Sequence, residues 1–254
     1  MELVILPRAR SARGFLLFIP RYDSMSSMNG TLYIVPTPIG NLEDVTLRAL
    51  RVLKEVDLIL CEDTSVTQKL LKKYEIENKT SVFYAQSGKG AIEKALTLLT
   101  EGKSIALVTD AGTPAISDPG VVLVDAVRKE FGEDAVIALP GASALTTALS
   151  VSGLDASQFT FLGFLPHKKG RETLFKEIAE SKRTMVFYES VHRIEKTLEK
   201  LAEILEDTRR VTVARELTKL FEEVRTGSAK TLQNHFKEHK DHIRGEFVVI
   251  VERP

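Results

Sequence analysis

The chain of 254 residues has no tryptophan and one cysteine, Cys61. A single thiol excludes an internal disulfide framework and leaves no cysteine cluster for zinc, a usage that suits a reducing compartment. Cys61 ends an apolar run and reads as core. Long hydrophobic runs are also missing: no stretch approaches the roughly twenty apolar residues that a bilayer-spanning helix needs. The expectation is a soluble, cytoplasmic protein without a membrane partner. Charge of one sign is absent as well, since 35 basic and 35 acidic side chains cancel. Neither GxGxxG nor GxxxxGK[ST] occurs, so the usual backbone cradles for a dinucleotide or a nucleoside triphosphate are lacking. None of the five histidines has HExxH spacing. His235 and His239 stand four apart without an accompanying carboxylate motif, and no metal site is expected.

What is present is an alternation. Residues 1–29 carry Arg8, Arg10 and Arg13 ahead of a short apolar patch, Gly14–Ile19, that stops at Pro20 and Arg21. That patch is too short for a secretion signal, so 1–29 reads as a disordered extension, with Met25 or Met28 as an alternative start. From Thr31 onward β-rich runs alternate with amphipathic ones, the pattern of βαβ units. Strands are expected at Leu32–Val35, Leu58–Cys61, Val82–Ala85, Ile105–Val108 and Val136–Leu139. The helical patterns between and after them are Thr46–Lys54, Val66–Tyr74, Ala91–Thr100, Val121–Phe131 and Ser143–Val151, with Thr46 and Ser143 as caps.

A pause at 152–156 marks a boundary between an N-terminal α/β domain, 30–151, and a C-terminal one, 152–254. The second is expected to hold strands at Phe159–Leu162, Thr184–Tyr188, Arg210–Ala214, Glu222–Thr226 and Glu246–Val251, and helices at Arg171–Glu180, Ile194–Leu205 and Ala229–His239. It reads as mixed, with Arg225-Thr226-Gly227 as a turn that allows an antiparallel partner. Residues 30–150 carry 12 basic and 16 acidic side chains and 151–254 carry 19 and 17. The second half is therefore the better match to an anionic polymer.

Three Gly/Pro-rich loops follow predicted strands: Val35–Asn41, Thr109–Gly120 and Leu139–Ala144. In an open α/β sheet, ligands collect where strands end. Prolines stiffen these loops while glycines allow close approach, an arrangement suited to a flat, partly apolar ligand gripped by main-chain groups. Tight turns alone would also explain them. Asp110, at the end of a strand, is the stronger candidate for a ligand contact than Asp118, which suits a turn or a helix cap.

These blocks resemble the ribosomal small-subunit methyltransferase I family within the tetrapyrrole methylase superfamily. The resemblance runs from Gly30 to about Glu252. It rests on Gly30–Asp44, Glu62-Asp63-Thr64, Asp110–Pro114, Ser117–Gly120, Pro140–Ala144, Gly163–Pro166, Phe187–Ser190 with His192-Arg193, Ala214–Lys219 and Gly245–Phe247. It implies a two-domain class III methyltransferase fold, with a mainly parallel N-terminal sheet and a mixed C-terminal one. It further implies a homodimer and S-adenosylmethionine held between the domains. The reaction would be methylation of a ribose 2′-oxygen on a decoding-centre cytidine of 16S rRNA, free or in the small subunit. By analogy the cofactor meets Ile39, Gly40, Asp110, Ala111, Gly112, Thr113, Ile116, Ser143 and Ala144, and in the second domain Tyr188, Leu217 and Phe247. The chain departs from the family at Ser65-Val66, where Arg and His are usual, and at Tyr84–Gly88, where a His-rich block is usual. It also stops at Pro254, where many members continue into a small helical domain.

A ribose hydroxyl is a weak nucleophile until a base takes its proton. Glu189, Glu216 and His192 are the candidates, although Glu189 and Glu216 would serve equally as partners for Arg193 and Arg215. RNA phosphates would meet Lys168, Lys169 and Arg171, with Arg193 and Lys219 near the cleft. Two other readings stay open. One is C-methylation of a tetrapyrrole, since fold does not fix function; the other is a non-catalytic ribosome-assembly binder.

Overall fold

The computed structural model describes residues 29–84 and 88–254. The proposed extension, apart from Asn29, and residues 85–87 lie outside the described residues. Short, apolar, β-branched runs build the first sheet from β1 (Leu32–Ile34), β2 (Leu58–Cys61), β3 (Thr80–Val82), β4 (Ile105–Leu107) and β5 (Val136–Ala138). All its pairings are parallel and the order is β3-β2-β4-β1-β5. The intervening helices are α1 (Leu47–Glu55), α2 (Thr64–Lys73), α3 (Gly88–Thr100), α4 (Gly120–Phe131) and α5 (Ala144–Val151).

The first helix illustrates the local logic. The Thr46 hydroxyl accepts from the Ala49 N–H, and Ala49, Val52 and Leu53 form the buried stripe. Apolar clusters cover both faces of the sheet, as parallel sheets require: Val35, Leu53, Ile59 and Leu71 on one side, Leu32, Leu60, Leu99 and Leu123 on the other.

The second sheet consists of β6 (Phe159–Phe164), β7 (Thr184–Ser190), β8 (Arg210–Arg215), β9 (Glu223–Ser228) and β10 (Glu246–Val251), in the order β6-β7-β10-β8-β9. β6 and β7 are parallel and the remaining pairs antiparallel, so the sheet is mixed. Helices α6 (Arg171–Glu180), α7 (Ile194–Ile204) and α8 (Ala229–Glu238) bury one face around Phe175, Phe187, Phe236 and Phe247. On the other face Val186, Ala214, Val248 and Ile250 pack against Ala148 and Leu149 of α5 and against Ile39. The two sheets thus meet through α5 and the loop after β1. Among the described residues no helix is long and apolar enough to cross a membrane.

Three local readings need correction. β3 begins two residues before the expected Val82 because it is an edge strand, paired only to β2 and marked by no apolar run. Arg225, Thr226 and Gly227 are not a turn. They lie within β9 opposite Val213, Thr212 and Val211, and the reversal is made by residues 216–222. Ser143 precedes α5 without a capping side-chain bond.

The strand order decides where a ligand can sit. β1 and β4 are neighbours, yet the chain leaves β1 toward β2 and leaves β4 toward β5, on opposite sides. Their carboxyl ends therefore diverge at a topological switch point, the habitual crevice of open α/β sheets.

Candidate active site

At the switch point the loops after β1 and β4 are bonded to each other. The Thr37 N–H donates to the Gly112 carbonyl and the Gly112 N–H to the Thr37 carbonyl, both at 3.0 Å, while the Thr37 hydroxyl donates to the Thr109 carbonyl at 2.9 Å. Gly112 has φ of 87°, and a Cβ on it would lie 3.3 Å from Ile39 Cγ2 and 3.5 Å from the Ala142 carbonyl oxygen. A glycine is what lets three loops converge there. The Thr113 hydroxyl adds a bond to the Ala142 carbonyl at 3.0 Å and ties in the loop before α5.

Facing this wall are the carboxyl ends of β7 and β8 and the start of β10. Between the walls lies a cavity of about 560 Å³, within the size range of small-molecule sites. Ile39, Asp110, Ala111, Gly112, Thr113, Ile116, Ser143, Ala144, Tyr188, Leu217 and Phe247 all line it, as does His192. Sequence residues from three loops and three later strands are thereby brought to one place. Tyr188 packs edge-on to Phe161, with ring centroids 4.9 Å apart, and tilted to Phe164 at 5.3 Å. Burial pushes its phenol upward, against a backbone hydrogen bond with Leu145.

Gly40 is the exception among the cofactor candidates, for it does not border the cavity. A Cβ on Gly40 would lie 2.4 Å from Lys219 Cγ and 3.0 Å from the Leu217 carbonyl oxygen. Its role is close contact with the 216–222 loop, reinforced by the Asn41 N–H donating to the Thr218 hydroxyl at 3.0 Å.

An acidic corner of the cavity was not foreseen. Glu62, just past β2, joins Asp110 and Asp118 on the lining. Burial raises the Glu62 carboxyl above its ordinary range; a hydrogen bond from the Thr109 hydroxyl, 2.5 Å long, opposes this, and the Asp118 and Asp110 charges add to it. Asp110 is also raised, by burial, although the Asp63 N–H donates to it at 3.1 Å. Asp118 accepts from the Gly120 N–H at 2.7 Å at the start of α4, the cap-like role allowed for it. The signal for Glu62 was its position: β2 adjoins β4, so its carboxyl end opens on the same edge.

The proposed bases fare differently. Glu189 borders the cavity, but its carboxylate is buried and engaged: Arg171 and Arg193 pair with it at 3.1 and 2.8 Å, and the Thr197 hydroxyl and Ser190 N–H donate to it at 2.7 and 2.8 Å. A carboxylate so engaged has no lone pair left for a substrate proton. Glu216 is not on the lining and pairs with Lys219 at 2.8 Å rather than with Arg215, which bonds Glu223. His192 is exposed at the rim.

The same contacts correct the RNA candidates. Arg171 sits over the Phe175 ring at 5.1 Å and against Glu189, and Arg193 donates to the Leu165 carbonyl at 2.6 Å. Both guanidiniums brace β7 and α7 from within instead of presenting charge outward. Lys219 is held by Glu216 and by Glu246 at 3.0 Å. Lys168 and Lys169 are exposed, in the turn between β6 and α6.

Backbone strain gathers at this cleft. Ala115, Glu216 and Thr218, with φ of 66°, 49° and 66°, are three of the four non-glycine residues at positive φ among the described residues. Conformations of that kind persist only where the surroundings over-determine them.

A family model for tetrapyrrole (corrin/porphyrin) methylases matches residues 31–233. A ribosomal RNA small subunit methyltransferase I from Thermotoga maritima is 47% identical over 222 residues, covering 87% of this chain and 98% of that one. The chain belongs to this family of tetrapyrrole methylases. Its relative from Escherichia coli O157:H7, of the same name, is 45% identical over 233 residues, 91% of this chain and 81% of the other. Among solved structures, a cobalt precorrin-4 methyltransferase superposes with a TM-score of 0.66 at 18% identity, covering 87% of this chain and 94% of that one. The uroporphyrin-III C-methyltransferase of Thermus thermophilus gives 0.60 at 19%, covering 88% and 94%. At such identities the likeness speaks for the tetrapyrrole methylase fold alone.

Proposed function

We propose that this chain is an S-adenosylmethionine-dependent rRNA methyltransferase. Its target is the ribose 2′-oxygen of a decoding-centre cytidine in 16S rRNA, reached as naked RNA or in the small subunit, and it works in the cytoplasm as a homodimer. The observation that carries this reading is the cavity of about 560 Å³ between the two sheets, whose walls combine apolar side chains with main-chain turns. The names borne by its relatives at 45–47% identity support the RNA substrate.

The residues present fit the cofactor. Ile39, Ile116, Leu217 and Phe247 offer apolar surface for a purine, and Gly112 leaves the space that a Cβ would fill. Asp110 and Ser143 supply polar contacts for hydroxyl and amino groups, and the acidic corner of Glu62, Asp110 and Asp118 suits a cationic ligand. When bound, S-adenosylmethionine supplies a methyl group on a sulfonium, whose thioether is a good leaving group.

The chain's own contribution is mainly alignment, since rigid positioning of two reactants accounts for much of such a rate enhancement. The bonded loops after β1 and β4 and the buried Glu189 cluster keep the opposing walls in place. Of the three candidate bases, Glu189 and Glu216 are engaged in ion pairs, which leaves His192 at the rim to accept the hydroxyl proton. Lys168 and Lys169 meet phosphate.

Radiolabelled methyl donor, offered with small subunits, with naked 16S rRNA and with a precursor tetrapyrrole, tests the assignment. Label on RNA, mapped to a ribose 2′-oxygen, is the expected result. Label on the tetrapyrrole, or cofactor binding with no transfer, would replace it with one of the other two readings. Lys168→Glu combined with Lys169→Glu is expected to weaken RNA binding and its salt dependence while calorimetric affinity for the cofactor stays unchanged.

A further inference from the structure

The C-terminal end of α8 carries a histidine cluster that plays no part in the cleft. His235 in the last turn of α8 and His239, just past its end, lie ring against ring, and a 3₁₀ turn at Lys240–His242 brings His242 onto them. Ring centroids are 4.6 Å apart for His235 and His239, and 5.1 Å for His239 and His242, whose rings stack. The carboxylate that sequence spacing did not supply comes from two other places. Asp241 lies in the turn itself, and Glu223 reaches in from β9.

We propose that His239, Asp241 and His242 form a site for a borderline transition dication, Zn²⁺ in the first instance, with water completing its shell. The donor atoms of these three residues lie within 4.8 Å of one another, and His242 Nε2 is 3.8 Å from Asp241 Oδ2. A tetrahedral zinc ion with bonds of about 2.0–2.1 Å separates its ligand atoms by roughly 3.3 Å. Small rotations of His239 and Asp241, both exposed, close that difference. Two imidazoles and one carboxylate select zinc, copper or nickel over magnesium and calcium.

The layer behind the ligands supports the assignment. His242 Nδ1 donates to Glu223 Oε2 at 3.0 Å, which fixes the tautomer and leaves the Nε2 lone pair facing Asp241. A histidine that turns one nitrogen to a carboxylate and the other to a metal is a recurrent second layer of zinc sites. Glu223 is held in that role by Arg215 at 2.7 Å and Arg225 at 2.5 Å. The backbone is fixed too: the His239 N–H donates to the His235 carbonyl at 2.9 Å and the His242 N–H to the His239 carbonyl at 3.0 Å. The carbonyl end of α8 lends its partial negative charge to a cation there. The alternative triad of Glu223, His235 and His242 is the poorer site, because the two guanidiniums stand directly on its carboxylate.

The test is titration of the untagged full chain with ZnCl₂ at neutral pH in a non-chelating buffer, followed by calorimetry. One equivalent of Zn²⁺ is expected to bind and Mg²⁺ is not. His239→Ala and Asp241→Asn should each weaken Zn²⁺ at least about tenfold, while Lys240→Ala, whose ammonium pairs with Glu195, leaves it unchanged. Cobalt provides a second readout, through visible absorbance that the first two variants abolish, and thermal melts confirm that all three fold. No stoichiometric zinc, or zinc retained at full affinity by His239→Ala, would overturn the proposal.

Discussion

Glu189 shows how a residue that reads as a base in the sequence can border the cavity with its carboxylate committed to ion pairs. Its carboxylate is inaccessible and bonds two guanidiniums, a hydroxyl and an amide. Removing one partner of a buried charged set leaves the others uncompensated, at about 3–5 kcal/mol. Glu189→Gln is therefore expected to lower denaturant-unfolding stability by about 3 kcal/mol, with methyl transfer per folded molecule largely kept. A normal unfolding midpoint with abolished transfer would return Glu189 to the role of base. Glu223 carries a pH dependence of its own. Burial works upward on its carboxyl, but hydrogen bonds from Arg215 and Arg225 and the charges of His242 and Arg215 outweigh it and hold it at about 2, against an ordinary 4.5. A depressed acid stabilises the native state above the unfolded value and loses that contribution as pH falls through the folded one. The stability difference between wild type and Glu223→Gln should thus be full above pH 4.5, up to about 3 kcal/mol, and shrink toward pH 2. Denaturant titrations across that range measure it. The Arg193–Glu189 pair, four positions apart, is legible in the sequence, whereas Arg171, 18 positions before Glu189, and His242, 19 after Glu223, are brought in only by the fold.

At the scale of elements, Arg209 is the clearest case of one side chain completing a helix. The last carbonyls of a helix lack intrahelical partners. Arg209 donates to the carbonyls of Ile178 at 2.9 Å and Ala179 at 2.6 Å at the end of α6, and to Glu252 after β10 at 2.6 Å. Arg209→Ala is expected to reduce stability by about 2–3 kcal/mol, from charged hydrogen bonds lost and carbonyls left bare, and faster amide exchange at the end of α6 would locate the damage. Elements with strong periodicity were readable in advance: α6 and β10 occupy the spans expected of them, because Glu246–Val251 is an apolar run bounded by polar residues and α6 has a clear buried stripe. β3 was misplaced because an edge strand needs no apolar face of its own. β9 was misread because its central Arg225, Thr226 and Gly227 look like a turn until β8 is seen beside them.

Across the whole molecule, the cavity depends on how closely the two halves approach. The three loops that line it are legible because glycine and proline mark strand ends, whereas the second wall follows only from the resemblance to the family. The acidic corner escaped notice because it depends on strand order, which brings Glu62 beside Asp110. Gly40 lies off the cavity for a related reason: only the folded chain reveals the 216–222 loop lying against it. Gly40→Ala should press on the Leu217 carbonyl, shift a lining residue and weaken cofactor binding about tenfold, roughly 1.4 kcal/mol by calorimetry. Unaltered affinity would mean that the loop yields without disturbing the wall. The paired bonds between Thr37 and Gly112 have a different consequence. They make that wall a fixed frame, so an arriving guest surrenders its own freedom but demands little of the protein's. A guest too broad for that frame finds a wall that resists moving aside, and selectivity then resides in what the unyielding backbone refuses.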